Sequence, residues 1–256
     1  GYPDLHDHIE TLRDLGLLHE IEVPVNKDTE LKPLVRWQFR GGIPESERKA
    51  FLFNNVTDSR GNKYEIPLVV GALATTPEIY GIGMGVPVSD IGEHWKKALA
   101  APISPVEVQD APCHEVILTG ADIDGEGKGL DALPVPISTP GFDVAPYLTA
   151  TSCISRDPDT GVQNMGTYRG GIKAPDRIGL KMFVNLRQGG HAHWDKYKAR
   201  GEKMPMAIMV GCPPALAYVS PQKIREGIDE IGVAGALVGA PIRVVKAKTV
   251  DLMVPA

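Results

Sequence analysis

Glycine and proline punctuate this chain at 28 and 22 of its 256 positions, and that density predicts many turns between short strands rather than a helical bundle. The length suits one large domain or two ordinary ones. A hydrophobic share of 43% and a charged share of 23% are ordinary for a globular chain. No apolar run reaches the roughly 18 residues of a membrane span. The opening GYPDLHDHIETLRDL is acidic and polar, unlike a signal peptide. A net charge of −5 argues against bulk nucleic-acid binding and leaves local anion sites open. Cys113, Cys153 and Cys212 are odd in number and widely spaced. They form neither a disulfide framework nor a zinc pattern and suit a reducing, cytoplasmic setting. The final VVKAKTVDLMVPA stops within an ordered-looking segment, so the chain is expected to be a fragment of a longer one.

Residues 1–105 read as a mixed α/β domain. Leu5, Ile9 and Leu12 recur at helical spacing and Gly16 marks a stop. Ile21, Val23 and Val25 alternate as one half-buried strand. Asp28 or Thr29 is the expected cap of a helix carrying Leu31, Leu34 and Val35. FLFNNV and IPLVVG are short strands around a turn-rich DSRGNKYE, and Ser89 can cap a helix through Ile91, Trp95 and Leu99.

Residues 106–256 read as strand-rich, consistent with a small barrel. EVILTG precedes a Gly/Pro-rich loop to about residue 144. Residues 147–156 alternate well, and Asp157-Pro158-Asp159-Thr160-Gly161 is a strong hairpin turn. RIGLKMFVNL, PMAIMVG and PIRVVKA are further strands, and HAHWDKYKARGE is a helix ending at Gly201.

Several motifs invite chemistry. Gly81, Gly83 and Gly85 in YGIGMGV suggest a dinucleotide loop and hence an NAD(P)-type oxidoreductase, but Pro87 interrupts and the helix starts late. A plain glycine turn is the preferred reading. His6 and His8 are expected on a polar, solvent-facing helix side; His191 and His193 sit at a helix start, where an ordinary structural role is preferred to ligation. Asn164 and Arg169, in NMGTYRGG, fall on opposite faces of a regular strand. The surrounding glycines permit a bulge that turns both toward one ligand, and the alternative is a strand end with a surface arginine. Glu230 enters an apolar, glycine-rich run and is expected to be partnered, to bind a cation or to cap the run.

Taken together these stretches resemble the UbiD family of reversible aromatic and unsaturated-acid decarboxylases. The resemblance runs from LRDLGLLHEIEVPV through VQNMGTYRG and PMAIMVGCPPA to EIGVAGALVGAPIRVVKAKTVDLMVPA. It implies an N-terminal α/β domain, a split β-barrel that binds flavin over 106–256, incomplete at its C-terminal end, and a missing oligomerisation domain. It implies prenylated FMN, supplied by a flavin prenyltransferase, whose phosphate is held through manganese or a similar divalent metal with potassium beside it. It implies a homo-oligomer acting on a small aromatic acid, with no nucleic-acid or membrane partner. Asn164 and Glu230 match the family's metal positions and Arg169 its active-site arginine; Gly166, Thr167 and Tyr168 lie in the same cofactor-binding strand. Oxygen ligands such as these suit a hard cation, and a guanidinium fork suits a substrate carboxylate or the flavin edge.

Three positions depart from the family pattern. Where its third metal ligand is usually histidine, ungapped alignment on Gly189-Gly190 places Arg187; either His191 substitutes through a loop shift or Arg187 contacts the phosphate directly. Where it carries two acidic residues near the end, this chain has Lys248 and Met253, which removes the usual proton donor. Asp251 remains, beside that pair and not part of it. The preferred reading is a decarboxylase with altered proton delivery, from Lys248 or water, suited to an aromatic dicarboxylate or its coenzyme A thioester. The alternative is a catalytically weakened, flavin-binding companion subunit.

Overall fold

A computed structural model describes residues 1–183, 188–225 and 227–256. Helix α1 (Leu5–Asp14) is capped by Asp4, whose side chain accepts from Asp7 N, and the chain turns at Gly16 with φ +69°. Strands β1 (Leu18–Ile21) and β2 (Val25–Asn26) belong to different sheets. The expected single strand therefore breaks at Val23, which is 66% exposed. Helix α2 (Leu31–Arg40) follows Glu30, not a side-chain cap at Asp28 or Thr29. Asp28 instead pairs with the buried Lys27 at 2.6 Å. Strands β3 (Ala50–Phe53), β4 (Val56–Thr57), β5 (Lys63–Tyr64) and β6 (Leu68–Val70) complete two three-stranded sheets, ordered β1-β3-β6 and β2-β4-β5.

The glycine motif at 81–85 is neither a phosphate loop nor a simple turn. Thr76 accepts from Ile79 N and Pro77 opens helix α3 (Pro77–Met84), so Gly81 and Gly83 are helical and Gly85 ends the helix at φ +70°. A side chain at Gly83 would collide with the Tyr218 ring. Helix α4 (Ile91–Ala100) starts after Asp90; Ser89 Oγ donates to the Asp90 carboxylate and caps nothing. His8 is fully buried rather than solvent-facing, with Nε2 2.6 Å from the Ala72 carbonyl.

After β7 (Val106–Glu107), the chain runs to residue 146 through short 3₁₀ turns. EVILTG forms no strand, and Val116, Ile117 and Leu118 are exposed. Strands β8 (Tyr147–Leu148), β9 (Thr151–Arg156), β10 (Gln163–Gly166), β11 (Gly170–Ala174) and β12 (Arg177–Leu180) follow, then helix α5 (Gly189–Ala199). Among the described residues, RIGLKMFVNL is strand only over its first four positions. Strand β13 (Met206–Val210), helices α6 (Pro214–Val219) and α7 (Glu230–Val238), and strands β14 (Arg243–Lys246) and β15 (Met253–Pro255) end the order. The sheets here are β10-β9-β13, β12-β11-β8 and β15-β14-β7, and no closed barrel forms among the described residues.

The largest apolar cluster joins both halves. Met84 of α3 and Ala98 of α4 pack with Ile154, Met165, Leu216, Val233 and Leu252. Smaller clusters around Phe53 and Leu12 serve the first half alone. No described helix is long and apolar enough to cross a membrane.

Candidate cofactor site

The Asp157–Gly161 turn closes the β9–β10 hairpin: Gly161 N donates to Asp157 O at 2.9 Å, and Asp159 N donates to the Asp157 side chain at 2.9 Å. The register puts Asn164 opposite Ser155, Met165 opposite Ile154 and Gly166 opposite Cys153. Because successive strand residues face opposite sides, Asn164 points away from the core that takes Met165. Beyond Gly166 the chain leaves this sheet. Thr167 N donates to Ser220 O at 3.1 Å and Thr167 Oγ1 to Ser220 Oγ at 2.9 Å. By Gly170 it has joined the β12-β11-β8 sheet.

Tyr168 folds back over this corner. Its Oη accepts from Asn164 Nδ2 at 3.2 Å and from Gly190 N at 2.9 Å, while its carbonyl accepts from Thr151 Oγ1 at 2.6 Å. Any side chain at Gly166 would strike the phenol, which is why glycine stands there. Helix α5 meets the same corner with two glycines, since a side chain at Gly189 would collide with Asn164 Oδ1 and one at Gly190 with the Tyr168 ring. That pairing leaves Asn164 Oδ1 accepting no hydrogen bond from the described residues.

Glu230 approaches from the other side. It is the first residue of α7, behind the Asp229 cap, and its Oε2 accepts from Met165 N at a long 3.4 Å. Burial pushes its carboxyl up to about 7, with Asp229 adding to the rise and backbone N–H groups opposing it. A half-buried acid met only by backbone N–H groups, that of Met165 at a long distance, is poorly satisfied. Asn164 and Glu230 thus attend consecutive residues of one strand and offer oxygen atoms of the kind a hard divalent cation prefers.

Other expected residues are not gathered there by any contact among the described residues. Arg169 is exposed, with its guanidinium carbon 5.5 Å from the Tyr147 ring centroid, as the surface-arginine alternative has it. Lys248 is exposed in the bend between β14 and β15, near enough to Cys113 to act on its thiol. His191 Nδ1 lies 3.2 Å from Asp195 Oδ2 and its ring sits edge-on to Trp194. Arg187 lies outside the described residues. Among the described residues no group of three or more His, Cys, Asp or Glu side chains could hold a metal. The exposed Asp251 pairs with Lys246 at 3.1 Å and Arg156 at 2.9 Å, which hold its carboxyl below the usual range. Met253 is held through its backbone: its N–H donates to Gln163 Oε1 at 2.8 Å and its carbonyl accepts from Gln163 Nε2 at 2.9 Å.

Sequence reasoning missed Ser155 and Gln163, and gave His193 an ordinary structural role without naming its partner. Ser155 Oγ is hydrogen-bonded to His193 Nδ1 at 2.9 Å, with both residues buried. Alternation along β9 places Ser155 on the face opposite the core residue Ile154, and nothing local names a partner 38 positions away.

Known proteins share this arrangement of elements. Residues 9–99 match the 3-octaprenyl-4-hydroxybenzoate carboxy-lyase N-terminal domain, and residues 104–256 match the Rift-related domain of the same enzymes. The UbiD-class enzyme HmfF from Pelotomaculum thermopropionicum, solved in complex with FMN, superposes with a TM-score of 0.84 at 30% identity, over 98% of this chain and 52% of that one. An evolved dimeric form of HmfF in complex with prFMN gives 0.82 at 28% identity, over 99% and 55%. Apo 3,4-dihydroxybenzoic acid decarboxylase from Klebsiella pneumoniae gives 0.81 at 25% identity, over 99% and 52%. The chain therefore spans about half the length of the structures it matches. With domain matches along nearly its whole length, it belongs to the UbiD family.

Proposed function

We propose that this chain is the cofactor-binding part of a prenylated-FMN-dependent decarboxylase acting on an aromatic or conjugated carboxylic acid. The observation that carries the reading is the poorly satisfied Glu230 carboxylate beside the strand that presents Asn164. Both would suit as oxygen ligands of a divalent metal such as manganese, which together with potassium would supply positive charge for a flavin phosphate. His191 or Arg187 would complete the set. The FMN and prFMN complexes of HmfF support a flavin as the cofactor here. The turn at Thr167–Arg169, where the chain passes between sheets, supports reading the three sheets of 106–256 as a split barrel. The separate domain matches over 9–99 and 104–256 support a division near 105.

When bound, prenylated FMN supplies the electron sink for loss of carbon dioxide. The chain's own groups bind and orient. Arg169, exposed on Tyr147, is free to swing onto a substrate carboxylate as a two-pronged donor. Gly166, Thr167 and Tyr168 shape the wall between Arg169 and Asn164. The proton that replaces carbon dioxide comes through Lys248 or water, because Asp251 is already paired with Lys246 and Arg156 at the surface and position 253 is a thioether. The replacement of acidic residues by Lys248 and Met253, with Arg169 as a second cation, favours an aromatic dicarboxylate or its coenzyme A thioester. A flavin prenyltransferase supplies the cofactor and the assembly is a homo-oligomer.

The test is to co-express the protein with a prenyltransferase and record its spectrum, then follow exchange of labelled bicarbonate into aromatic acids. Bound modified flavin with exchange is expected, and exchange should fall at least tenfold in Arg169→Ala, roughly what a lost charged contact to the reacting centre costs. Bound flavin without exchange would instead identify a companion subunit, and no bound flavin would end the proposal.

A further inference from the structure

Helix α5 is tied to the β9–β10 hairpin by polar anchors along its length. The outermost is Arg200, which pairs with Asp159. Next comes Lys196, 2.6 Å from Asp157 Oδ2 and 3.1 Å from Asp159 Oδ2. The innermost is His193, 2.9 Å from Ser155 Oγ. The outer two sit on the turn at the rim, whereas the innermost is buried and meets the strand residue that pairs directly with Asn164. One helical turn before His193, Gly189 lies against Asn164 Oδ1, and Gly190 N donates to the Tyr168 hydroxyl that also receives Asn164 Nδ2. Residues four apart share a helix face, so the His193 anchor fixes how closely Gly189 can approach the amide.

We infer that His193 and Ser155 are positioning residues for Asn164. They set the depth and rotation of α5 and the pitch of β9, and so hold the Asn164 amide oxygen in one orientation toward the cation site. This rests on the reading of Asn164 and Glu230 as cation ligands. Groups that orient a ligand without touching the metal typically cost about 10–100-fold in metal affinity when removed. The rim anchors are far less demanding, because the partly exposed Lys196 reaches from α5 to the turn carboxylates and contributes little beyond local stability.

Manganese titration of the protein, followed by electron paramagnetic resonance, separates these roles. Ser155→Ala and His193→Ala should each weaken manganese binding about tenfold or more. His193→Asn should restore most of that affinity, because its amide reaches as far as Nδ1 and can still meet Ser155 Oγ. Lys196→Ala should leave the affinity unchanged while lowering the melting temperature. Ser155→Ala removes only a hydroxyl and keeps the test decisive if the histidine variants fold poorly. Unchanged affinity in Ser155→Ala and His193→Ala overturns the inference alone. So does an equal loss in Lys196→Ala, which would mean that affinity merely follows stability. Failure of the unaltered protein to bind manganese overturns the reading of the site, and the inference with it.

Discussion

Helices α5 and α7 both begin beside β10, one with Gly189 against Asn164 and the other with Glu230 against Met165, yet they are secured by different forces. Helix α7 is apolar around its circumference, with Ile231, Val233, Ala234 and Leu237 all buried in the largest core. Helix α5 buries only Gly190 and His193 and relies on polar anchors to the hairpin. Apolar packing resists local opening, whereas polar anchors fix direction at small cost to remove individually. The contrast explains how a half-buried carboxylate is tolerated at the start of α7: the helix behind it is held strongly enough to carry an unfavourable group. The sharpest way to break the comparison is Leu237→Ala, which empties part of the α7 core. It should cost about 2–5 kcal/mol of unfolding free energy, measured by urea titration. A loss below 1 kcal/mol would mean α7 is not the firmly held partner.

A second test turns on Glu230 itself. Its carboxyl is lifted by burial from the ordinary value near 4.5 to about 7. Below pH 4.5 both folded and unfolded carboxyls are neutral and burial carries no charge penalty. Between there and pH 7 the unfolded acid ionises first, so stability falls as pH rises. Above that window the full penalty applies, about 3 kcal/mol at most. In metal-free protein, Glu230→Gln should therefore be more stable than the unaltered chain at pH 8 and equal to it at pH 4. Adding manganese should raise the melting temperature of the unaltered protein and leave the variant where it was. A variant that is less stable at both pH values would show that Glu230 has a structural partner and not a vacant charge.

These forces also decide what the sequence could disclose. The Asp157–Gly161 turn was legible because local turn chemistry suffices to build it. The end of α5 at Gly201 was legible for the same reason. The run 147–156, by contrast, was misjoined, since it divides into β8 and β9 of different sheets. Val23 and Val25 were misjoined because the alternation continues past a break that pairing partners alone impose. The helix at 77–84 carried its own signal in Thr76-Pro77, a cap followed by a helix-opening proline, which the three glycines obscured. His8 could not be placed, since its burial depends on Ala72, 64 positions away. In the candidate site, Asn164, Tyr168 and Glu230 were visible through family resemblance, and spacing alone left them open. The His193–Ser155 contact had no such pattern, and the exposure of Arg169 and Lys248 depends on packing that no spacing records.

The mildest perturbation sharpens the α5 side. Gly189 occupies the first helical position, where alanine would ordinarily be favoured by about 0.5–1 kcal/mol. Here the new methyl would meet Asn164 Oδ1, so the amide must rotate or the helix must lift from the strand. Overpacking of this kind costs about 1–3 kcal/mol, which exceeds the helical gain. Gly189→Ala should thus be destabilised by about 1 kcal/mol net and should lose manganese affinity as well, read in the same titration as Ser155→Ala. Alanine lifts α5 at its tip, while the serine variant frees it one turn further in, so the two losses should not add fully when combined, as expected for residues acting through one contact. Full additivity would place Gly189 and Ser155 in separate devices, and a stabilised Gly189→Ala would show that the Asn164 amide does not lie against α5 at all.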